Sequence, residues 1–287
     1  MNRVKRTLAP YLLVLPGGLW LLLFFIVPMA AMVSLSLQQG DVINGYRFTG
    51  HWQTYVDAIT DYRVQLIRSL VYGLIATIIL IVMSFPMAYW IAFHGGKRKS
   101  TYLFLILLPF FVSFVLRTIS WRQLLTDDGV LLHPLKEAGL LSPGFHILGT
   151  PSAVIFGLVY NSLPFMVLPI YVALERIDPR VLEAARDLYA KPPTVFRKVV
   201  LPLALPGVFA GVLMTFVPAS ADYVNSQVLG SSSTTMIGQV IQAQYLANSN
   251  YPMASALSFM LMAVLLVGVF AYARALGTED VMNAAAR

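Results

Sequence analysis

Six long apolar stretches alternate with shorter polar stretches along this 287-residue chain. A helix needs about 20 mostly apolar residues to cross the hydrocarbon core of a bilayer. The stretches that meet this requirement are 11–35, 69–93, 101–125, 152–174, 203–221 and 253–273. We therefore predict an all-α, polytopic membrane protein with six transmembrane helices, in which residues 1–287 form a single membrane domain.

The composition supports membrane insertion. Charged residues make up 11% of the chain and hydrophobic residues 58%, with a mean hydropathy of +0.73, whereas soluble domains carry about 25% charged residues. The first apolar stretch follows Arg3, Lys5 and Arg6. It is much longer than the roughly 7–15 apolar residues of a signal peptide, so we predict a retained anchor.

The basic residues predict the orientation. The two termini, the second-to-third connection and the fourth-to-fifth connection hold 14 of the 20 Lys and Arg residues. Basic residues concentrate in cytoplasmic loops, so these segments and both termini are predicted to be cytoplasmic in an inner membrane. The net charge of +7 is explained by this asymmetry. No nucleic-acid partner is expected, because no basic stripe lies on a soluble domain.

Two other classes of membrane protein are less consistent with the sequence. A self-sufficient secondary transporter predicts repeated halves and acids inside the spans, and neither is evident. A membrane enzyme needs a catalytic set, but the four His residues are scattered, with no His-Glu-x-x-His or Gly-x-Ser-x-Gly pattern. The chain has no Cys, which excludes thiolate catalysis and Cys-type zinc sites. We expect no metal site.

One connection concentrates the charge that the rest of the chain lacks. It reads "VLEAARDLYAKPPTVFRKVVLPLALPG" over 181–207. Asp178 and Pro179 provide an N-cap and a first helical residue, and Pro192 predicts the stop. An apolar face is formed at helical spacing by Val181, Ala184, Ala185 and Leu188. From physical reasoning alone, this short amphipathic helix can lie on lipid, pack on its own bundle, or dock on a soluble partner.

This connection resembles the cytoplasmic loop of type I ABC-importer permeases. The family pattern is Glu-Ala-Ala, three residues, Gly, nine residues, Ile, one residue, Leu-Pro. Here Glu183-Ala184-Ala185 are followed at the same spacing by Tyr189, Val199 and Leu201-Pro202, so Tyr replaces Gly and Val replaces Ile. The resemblance implies that residues of the 178–200 loop couple to a soluble ATPase, namely Glu183, Ala184, Ala185, Asp187, Leu188, Tyr189 and Ala190.

Three further segments, 108–125, 158–188 and 207–224, are similar to the spermidine/putrescine permease branch. The resemblance implies a polyamine solute, although related branches carry iron(III), opines or other small solutes. It also implies a second permease, a dimer of ATPase subunits and an external binding protein as partners. ATP and Mg²⁺ are expected on the ATPase, because "GFHILGT" (144–150) has the two glycines of a phosphate loop but no Lys. Membrane lipid is the remaining expected partner.

The polar residues at the ends of spans and inside them are candidates for the solute pathway. A polyammonium solute needs carboxylates and aromatic faces, which Asp222 and Tyr223 can provide, with Asn225 beside them. The alternative is that Asp222 only caps the end of the span. Tyr160 and Asn161 are predicted to lie mid-membrane, where polar side chains either line a cavity or bond across helices.

Three other features complete the prediction. Trp121 either stacks on solute or belongs to an interfacial aromatic belt. Arg117 either extends toward the interface or pairs with an acid such as Asp222, and it is also compatible with an anionic solute. Gly207 and Gly211 form a Gly-x-x-x-Gly pattern that predicts close helix packing, within this chain or against a partner permease.

Overall fold

The computed structural model describes residues 14–41 and 43–275, which are helical apart from one short hairpin and the connecting segments. The helices are α1 (Val14–Ser36), α2 (Gln53–His94), α3 (Gly96–Phe111), α4 (Phe114–Leu124), α5 (Leu132–Glu137), α6 (Pro151–Glu175), α7 (Pro179–Asp187), α8 (Pro192–Ser220), α9 (Val224–Leu229), α10 (Ile237–Leu246) and α11 (Tyr251–Ala275). Strands β1 (Gln38–Asp41) and β2 (Gly45–Phe48) pair antiparallel, with Gln38 opposite Phe48. The predictions on Arg3, Lys5, Arg6, Arg287 and the start of the first span lie outside the described residues.

Within the described residues, α1, α2, α6, α8 and α11 are each long and apolar enough to cross a membrane, and α3 with α4 can form a sixth span. These helices overlap all six predicted stretches. The observed and predicted ends differ most for α2, which covers Gln53–His94 where 69–93 was predicted. Its 42 residues give a length of about 63 Å at 1.5 Å per residue. That is about twice the 30 Å hydrocarbon core, so α2 extends well beyond the bilayer.

The third span is not the continuous helix that the sequence predicts over 101–125. The axes of α3 and α4 meet at 88°, because Val112 and Ser113 are extended, with ψ of 143° and 137°. The last turn of α3 is a tightened 3₁₀ turn that starts at Leu108 and contains Pro109. Proline lacks the N–H that an α-helical hydrogen bond needs. The apolar pattern runs through the break unchanged, so it carries no signal of the bend.

The chain forms two compact units. One contains the residues up to Arg63 and Ile241–Met262, and the other contains Val64–Val240 and the residues from Ala263. In the first unit, Tyr46 donates a hydrogen bond from its hydroxyl to the carbonyl oxygen of Ser249 at 2.5 Å. The rings of Tyr46 and Tyr245 each lie within 5.5 Å of the Tyr251 ring. This cluster fixes the hairpin to the turn between α10 and α11.

The core of the second unit lies among α2, α6 and α8. Its fully buried members include Leu80 on α2, Met166 and Ile170 on α6, and Ala204 on α8. Small residues such as Ala76 and Ala204 lie among these large ones, and they let the helices approach closely.

Gly207 and Gly211 produce the closest approach, between α8 and α6. A Cβ atom on Gly207 would lie 2.5 Å from the carbonyl oxygen of Pro169 and 2.6 Å from Cβ of Ala173. A Cβ atom on Gly211 would lie 2.6 Å from Sδ of Met166. In this structure the Gly-x-x-x-Gly pattern is therefore used within the chain, where only glycine fits.

We predict that Gly207→Ala destabilises the protein by about 1–3 kcal/mol, because the Pro169 carbonyl belongs to the backbone of α6 and cannot move aside. Gly211→Ala should cost less, since a Met thioether can change rotamer. Gly268→Ala on α11 is the matched control: no atom lies within 4 Å of its added Cβ, and alanine favours helix by up to about 1 kcal/mol. Thermal unfolding in detergent measures all three. Equal melting temperatures for Gly207→Ala and Gly268→Ala would contradict the packing.

Candidate functional site

A cavity of about 770 Å³ lies in the second unit, at the break of the third span. Its walls come from the α3–α4 break, the middle of α6, the end of α8 and the start of α9. The lining residues are Phe110, Phe111, Val112, Ser113, Phe114, Arg117, Leu158, Asn161, Ser162, Phe165, Met214, Pro218, Ala219, Asp222 and Asn225. The cavity is therefore largely aromatic and apolar, with a few polar groups.

Asp222 lies two residues beyond the end of α8 and contributes a carboxylate to this cavity. Its Oδ1 accepts a hydrogen bond from the backbone N–H of Asn225 at 2.7 Å, in the first turn of α9, whose N-cap residue is Tyr223. Removal from water raises the pKa of Asp222 to about 6, against the opposing effect of hydrogen bonds from Asn225 and Ser226. Asp222 thus accepts a bond from the following helix and presents an anion at neutral pH.

Two buried asparagines connect three helices beside the cavity. The Asn161 side-chain amide donates to Oγ1 of Thr118 at 3.1 Å and to Oδ1 of Asn225 at 3.2 Å. These bonds join α6 to α4 and to α9. Among the described residues, the remaining amide atoms, Oδ1 of Asn161 and Nδ2 of Asn225, have no hydrogen-bond partner. One acceptor and one donor are left for other groups.

Arg117 also lines the cavity and is 9% exposed. Its guanidinium carbon lies 3.9 Å from the centroid of the Phe110 ring, a cation–π arrangement. Among the described residues, its Nε and Nη1 make no hydrogen bond, and no ion pair joins it to Asp222. The sequence-based interpretation that Arg117 pairs with Asp222 is not observed in this structure.

The other predicted pathway residues lie outside the large cavity. Trp121 packs edge-on against Tyr160, with 5.1 Å between ring centroids. Both line a neighbouring depression of about 280 Å³ that Arg117 shares. Tyr223 is 42% exposed and does not line the cavity, because it follows Asp222 directly and points another way at the start of α9. The sequence reasoning missed the phenylalanines of the cavity, which are ordinary residues for a membrane span.

The charged loop forms the predicted short helix, α7, between α6 and α8. Oδ1 of Asp178 accepts a hydrogen bond from the backbone N–H of Arg180 at 2.9 Å, which is the predicted N-cap. The helix ends at Asp187, before the stop that Pro192 predicts. The chain then turns, and Pro192 begins α8.

Tyr189 adopts a left-handed backbone conformation, which glycine adopts most readily. Its φ is +54°, in the left-handed region that costs a non-glycine residue about 1–2 kcal/mol. The backbone N–H of Ala190 donates to the carbonyl oxygen of Ala185 at 3.2 Å. A left-handed residue followed by this bond is characteristic of a Schellman helix end. A tight bend therefore forms in this chain with Tyr at the position of the motif glycine.

One face of α7 contacts the rest of the protein and the other is open. Leu182 packs against the core of the second unit. The predicted apolar face is mostly exposed, with Leu188 at 82% and Val181 at 44%, and Tyr189 at its end is 96% exposed. Glu183, Ala184 and Asp187 are exposed as well, and Ala185 and Ala190 are partly buried. Within the described residues, a patch of aliphatic and aromatic surface that includes Leu188 and Tyr189 is thus left exposed.

Residues 14–41 and 43–275 contain no group of three or more His, Cys, Asp or Glu side chains arranged to hold a metal ion.

The sequence matches a known family of membrane proteins. Residues 65–275 match the family described as binding-protein-dependent transport system inner membrane component. The spermidine/putrescine transport system permease protein PotB of Haemophilus influenzae is 36% identical over 257 residues, which cover 89% of this chain and 90% of that protein. PotB of Escherichia coli is 34% identical, with 89% and 94% covered.

Two solved structures share the fold. A chain of a bacterial ABC transporter involved in the import of the acidic polysaccharide alginate superposes with a TM-score of 0.75 at 19% identity, covering 96% of this chain and 97% of that one. A chain of the MetNI methionine ABC transporter, in an inward-facing conformation, gives a TM-score of 0.59 at 19% identity, covering 75% and 94%. The chain therefore belongs to the family of binding-protein-dependent transport system inner membrane components, as a multi-pass permease subunit of an ABC importer.

Proposed function

We propose that this chain is one of two permease subunits of an importer that moves a polyamine of the spermidine or putrescine type. The observation that carries the proposal is the 34–36% identity to permeases named for spermidine and putrescine, over 89% of the chain. The second permease is proposed to be a different chain, so that the pair is a heterodimer. An external binding protein delivers the solute to the pair.

The cavity supports a cationic solute. The Asp222 carboxylate gives an ammonium group a charged partner, and the Phe114 and Phe165 rings give the methylene-linked cation aromatic faces. The unpartnered Oδ1 of Asn161 adds a neutral acceptor. In the low-dielectric cavity, such groups interact with a cation more strongly than in water.

The second part of the proposal is that the exposed face of α7 docks into a cleft of a soluble ATPase, which binds ATP and Mg²⁺. This places α7 and both termini on the cytoplasmic side, in line with the 14 of 20 basic residues on that side. Leu188 and Tyr189 offer an exposed apolar anchor, and Glu183 and Asp187 offer a charged rim. ATP hydrolysis takes place on the partner, and this chain passes the movement to the spans.

Uptake of radiolabelled spermidine and putrescine into proteoliposomes with the complete transporter tests the solute. We predict that Asp222→Asn lowers uptake at least about tenfold, because it removes a charge and keeps a side-chain oxygen that can accept the bond from the Asn225 N–H. Wild-type uptake should fall as the pH decreases through about 6, where the Asp222 carboxylate becomes protonated. The Asn variant should lack this decline. Unchanged uptake in the variant would contradict a role in binding solute and would leave Asp222 only its hydrogen bond with the Asn225 N–H.

For the docking helix, we predict that Glu183→Arg lowers uptake at least about tenfold and uncouples ATP hydrolysis from it, because the substitution reverses a charge on the docking rim. Glu137→Arg on α5 is the matched control, since Glu137 is also exposed on a short helix and lies in the connection predicted to be external. Uptake and ATPase activity are measured on the same proteoliposomes. Equal effects of the two substitutions would count against docking at α7.

Two substitutions at Tyr189 distinguish the role of its aromatic ring from the role of its backbone bend. Tyr189→Gly keeps the bend and relieves the positive φ, yet it should weaken assembly with the ATPase about tenfold because an aromatic anchor is lost. Tyr189→Phe keeps the ring and should assemble normally. Co-purification of the ATPase with each tagged variant gives the measurement. If Tyr189→Gly assembles as well as the unaltered chain, the ring does not contribute to docking.

A further inference from the structure

The Asp222 carboxylate is connected to the broken third span through a chain of hydrogen bonds. Its Oδ1 accepts from the backbone N–H of Asn225 at 2.7 Å. Oδ1 of Asn225 accepts in turn from the side-chain amide of Asn161 at 3.2 Å. The same amide donates to Oγ1 of Thr118 at 3.1 Å. Each bond joins a different pair of segments, so the chain leads from α4 through α6 and α9 to the carboxylate.

The links of this chain are shielded from water. Thr118 is fully buried, Asn225 is 1% exposed and Asn161 is 5% exposed. Water cannot replace a bond that is lost at such a site, so removal of one partner has a larger effect there than at the surface. Thr118 is not one of the residues that line the large cavity. An effect of the Thr118 hydroxyl on the solute must therefore pass through Asn161.

Helix α6 is also shaped to hold the Asn225 side chain. Gly157 lies one turn before Asn161, on the same face of this helix. A Cβ atom on Gly157 would meet Oδ1 of Asn225, and it would lie 2.6 Å from Cδ1 of Leu229. The absent side chain at position 157 thus leaves the space that the Asn225 amide occupies, and Asn161 supplies the donor. Asn225 is fixed by packing and by a hydrogen bond together.

We propose that Thr118 and Asn161 are positioning residues for solute transport, which act through Asn225 to hold the Asp222 carboxylate in the orientation that receives an ammonium group. Asp222 itself lies in the connection between α8 and α9, outside regular helix. Because Thr118 belongs to α4, the orientation of the carboxylate depends on the placement of the broken span. This role rests on the proposed function, in which Asp222 binds the polyamine, and adds residues that act through Asp222.

A matched pair of threonine substitutions isolates the bond to Asn161. Thr118 and Thr215 are both fully buried. Each hydroxyl donates to the backbone carbonyl four residues earlier, that of Phe114 at 3.1 Å and that of Gly211 at 2.9 Å. Only the Thr118 hydroxyl also accepts from Asn161 in the described structure. Thr118→Val and Thr215→Val therefore remove the same group from equally buried sites, and they differ in the bond to Asn161.

Uptake of radiolabelled spermidine is measured in proteoliposomes with the second permease, the ATPase and a saturating amount of loaded binding protein. We predict that Thr118→Val lowers uptake about fivefold, the factor that one neutral buried hydrogen bond contributes. Thr215→Val should change uptake less than about twofold. Thr118→Ser keeps the hydroxyl and should retain most of the uptake. Co-purification of the ATPase with each variant reports assembly.

Gly157→Ala tests the same chain without removing a hydrogen-bonding group. The added methyl group displaces the Asn225 side chain, so uptake should fall as it does in Thr118→Val. Gly268→Ala is the matched control, because no atom lies within 4 Å of its added Cβ. Where Thr118→Val does not assemble, the comparison of the two glycine variants decides the question.

Two further measurements distinguish positioning from a general loss of structure. Thr118→Val should move the acid decline of uptake to a pH above about 6, because a looser Asn225 N–H stabilises the ionised Asp222 carboxylate less and its pKa rises further. The guanidinium groups of Arg117 on α4 and Arg68 on α2 stay protonated over this range. In the Asp222→Asn background, Thr118→Val should lower uptake no further, because the carboxylate that it positions is absent.

Three results would each overturn the positioning role and leave the polyamine function intact. They are equal uptake in Thr118→Val and Thr215→Val, an unmoved pH profile in Thr118→Val, and an additional loss in the double variant of Thr118 and Asp222. Unchanged uptake in Asp222→Asn alone would instead overturn the proposed solute site, and the positioning role with it.

Discussion

The need to satisfy every backbone hydrogen bond inside a bilayer determines where this chain can depart from helix. Lipid offers no partner for a free N–H or C=O group, so irregular backbone is tolerated only where protein or a cavity surrounds it. The break at Val112 and Ser113 meets this condition because both residues line the 770 Å³ cavity. The position of the cavity, the burial of Arg117 and the open first turn of α4 all depend on this break.

The closely packed helices α6 and α8 form one side of the cavity, and the broken span α3–α4 forms another. Glycines at 207 and 211 bring the two backbones together, and a tightly packed pair of helices transmits displacement rather than absorbing it. Asn161 extends this rigidity across the cavity, because its amide reaches Thr118 on α4 and Asn225 on α9. The Asn161 amide thus connects α6 to both α4 and α9 beside the cavity.

The sequence predicts the spans well and the directions of side chains less well. Hydropathy summed over about 20 residues measures solvation by lipid directly, which is why six stretches could be identified. The bend at Val112 has no such signal, because extended and helical valines are equally apolar. Asp222, Asn161 and Asn225 do meet at one cavity, as their polarity suggested. Tyr223 does not, since adjacency along the chain does not set orientation where a helix begins.

At position 189, a left-handed turn forms although the residue is tyrosine and not glycine. The left-handed turn after α7 is maintained by the bond between Ala190 and Ala185 and by the proline that follows, and these features do not depend on glycine. A search pattern that demands glycine at this point overlooks the loop, whereas a pattern written in dihedral angles and hydrogen bonds finds it. Loops of this kind are better catalogued by their backbone geometry than by their letters.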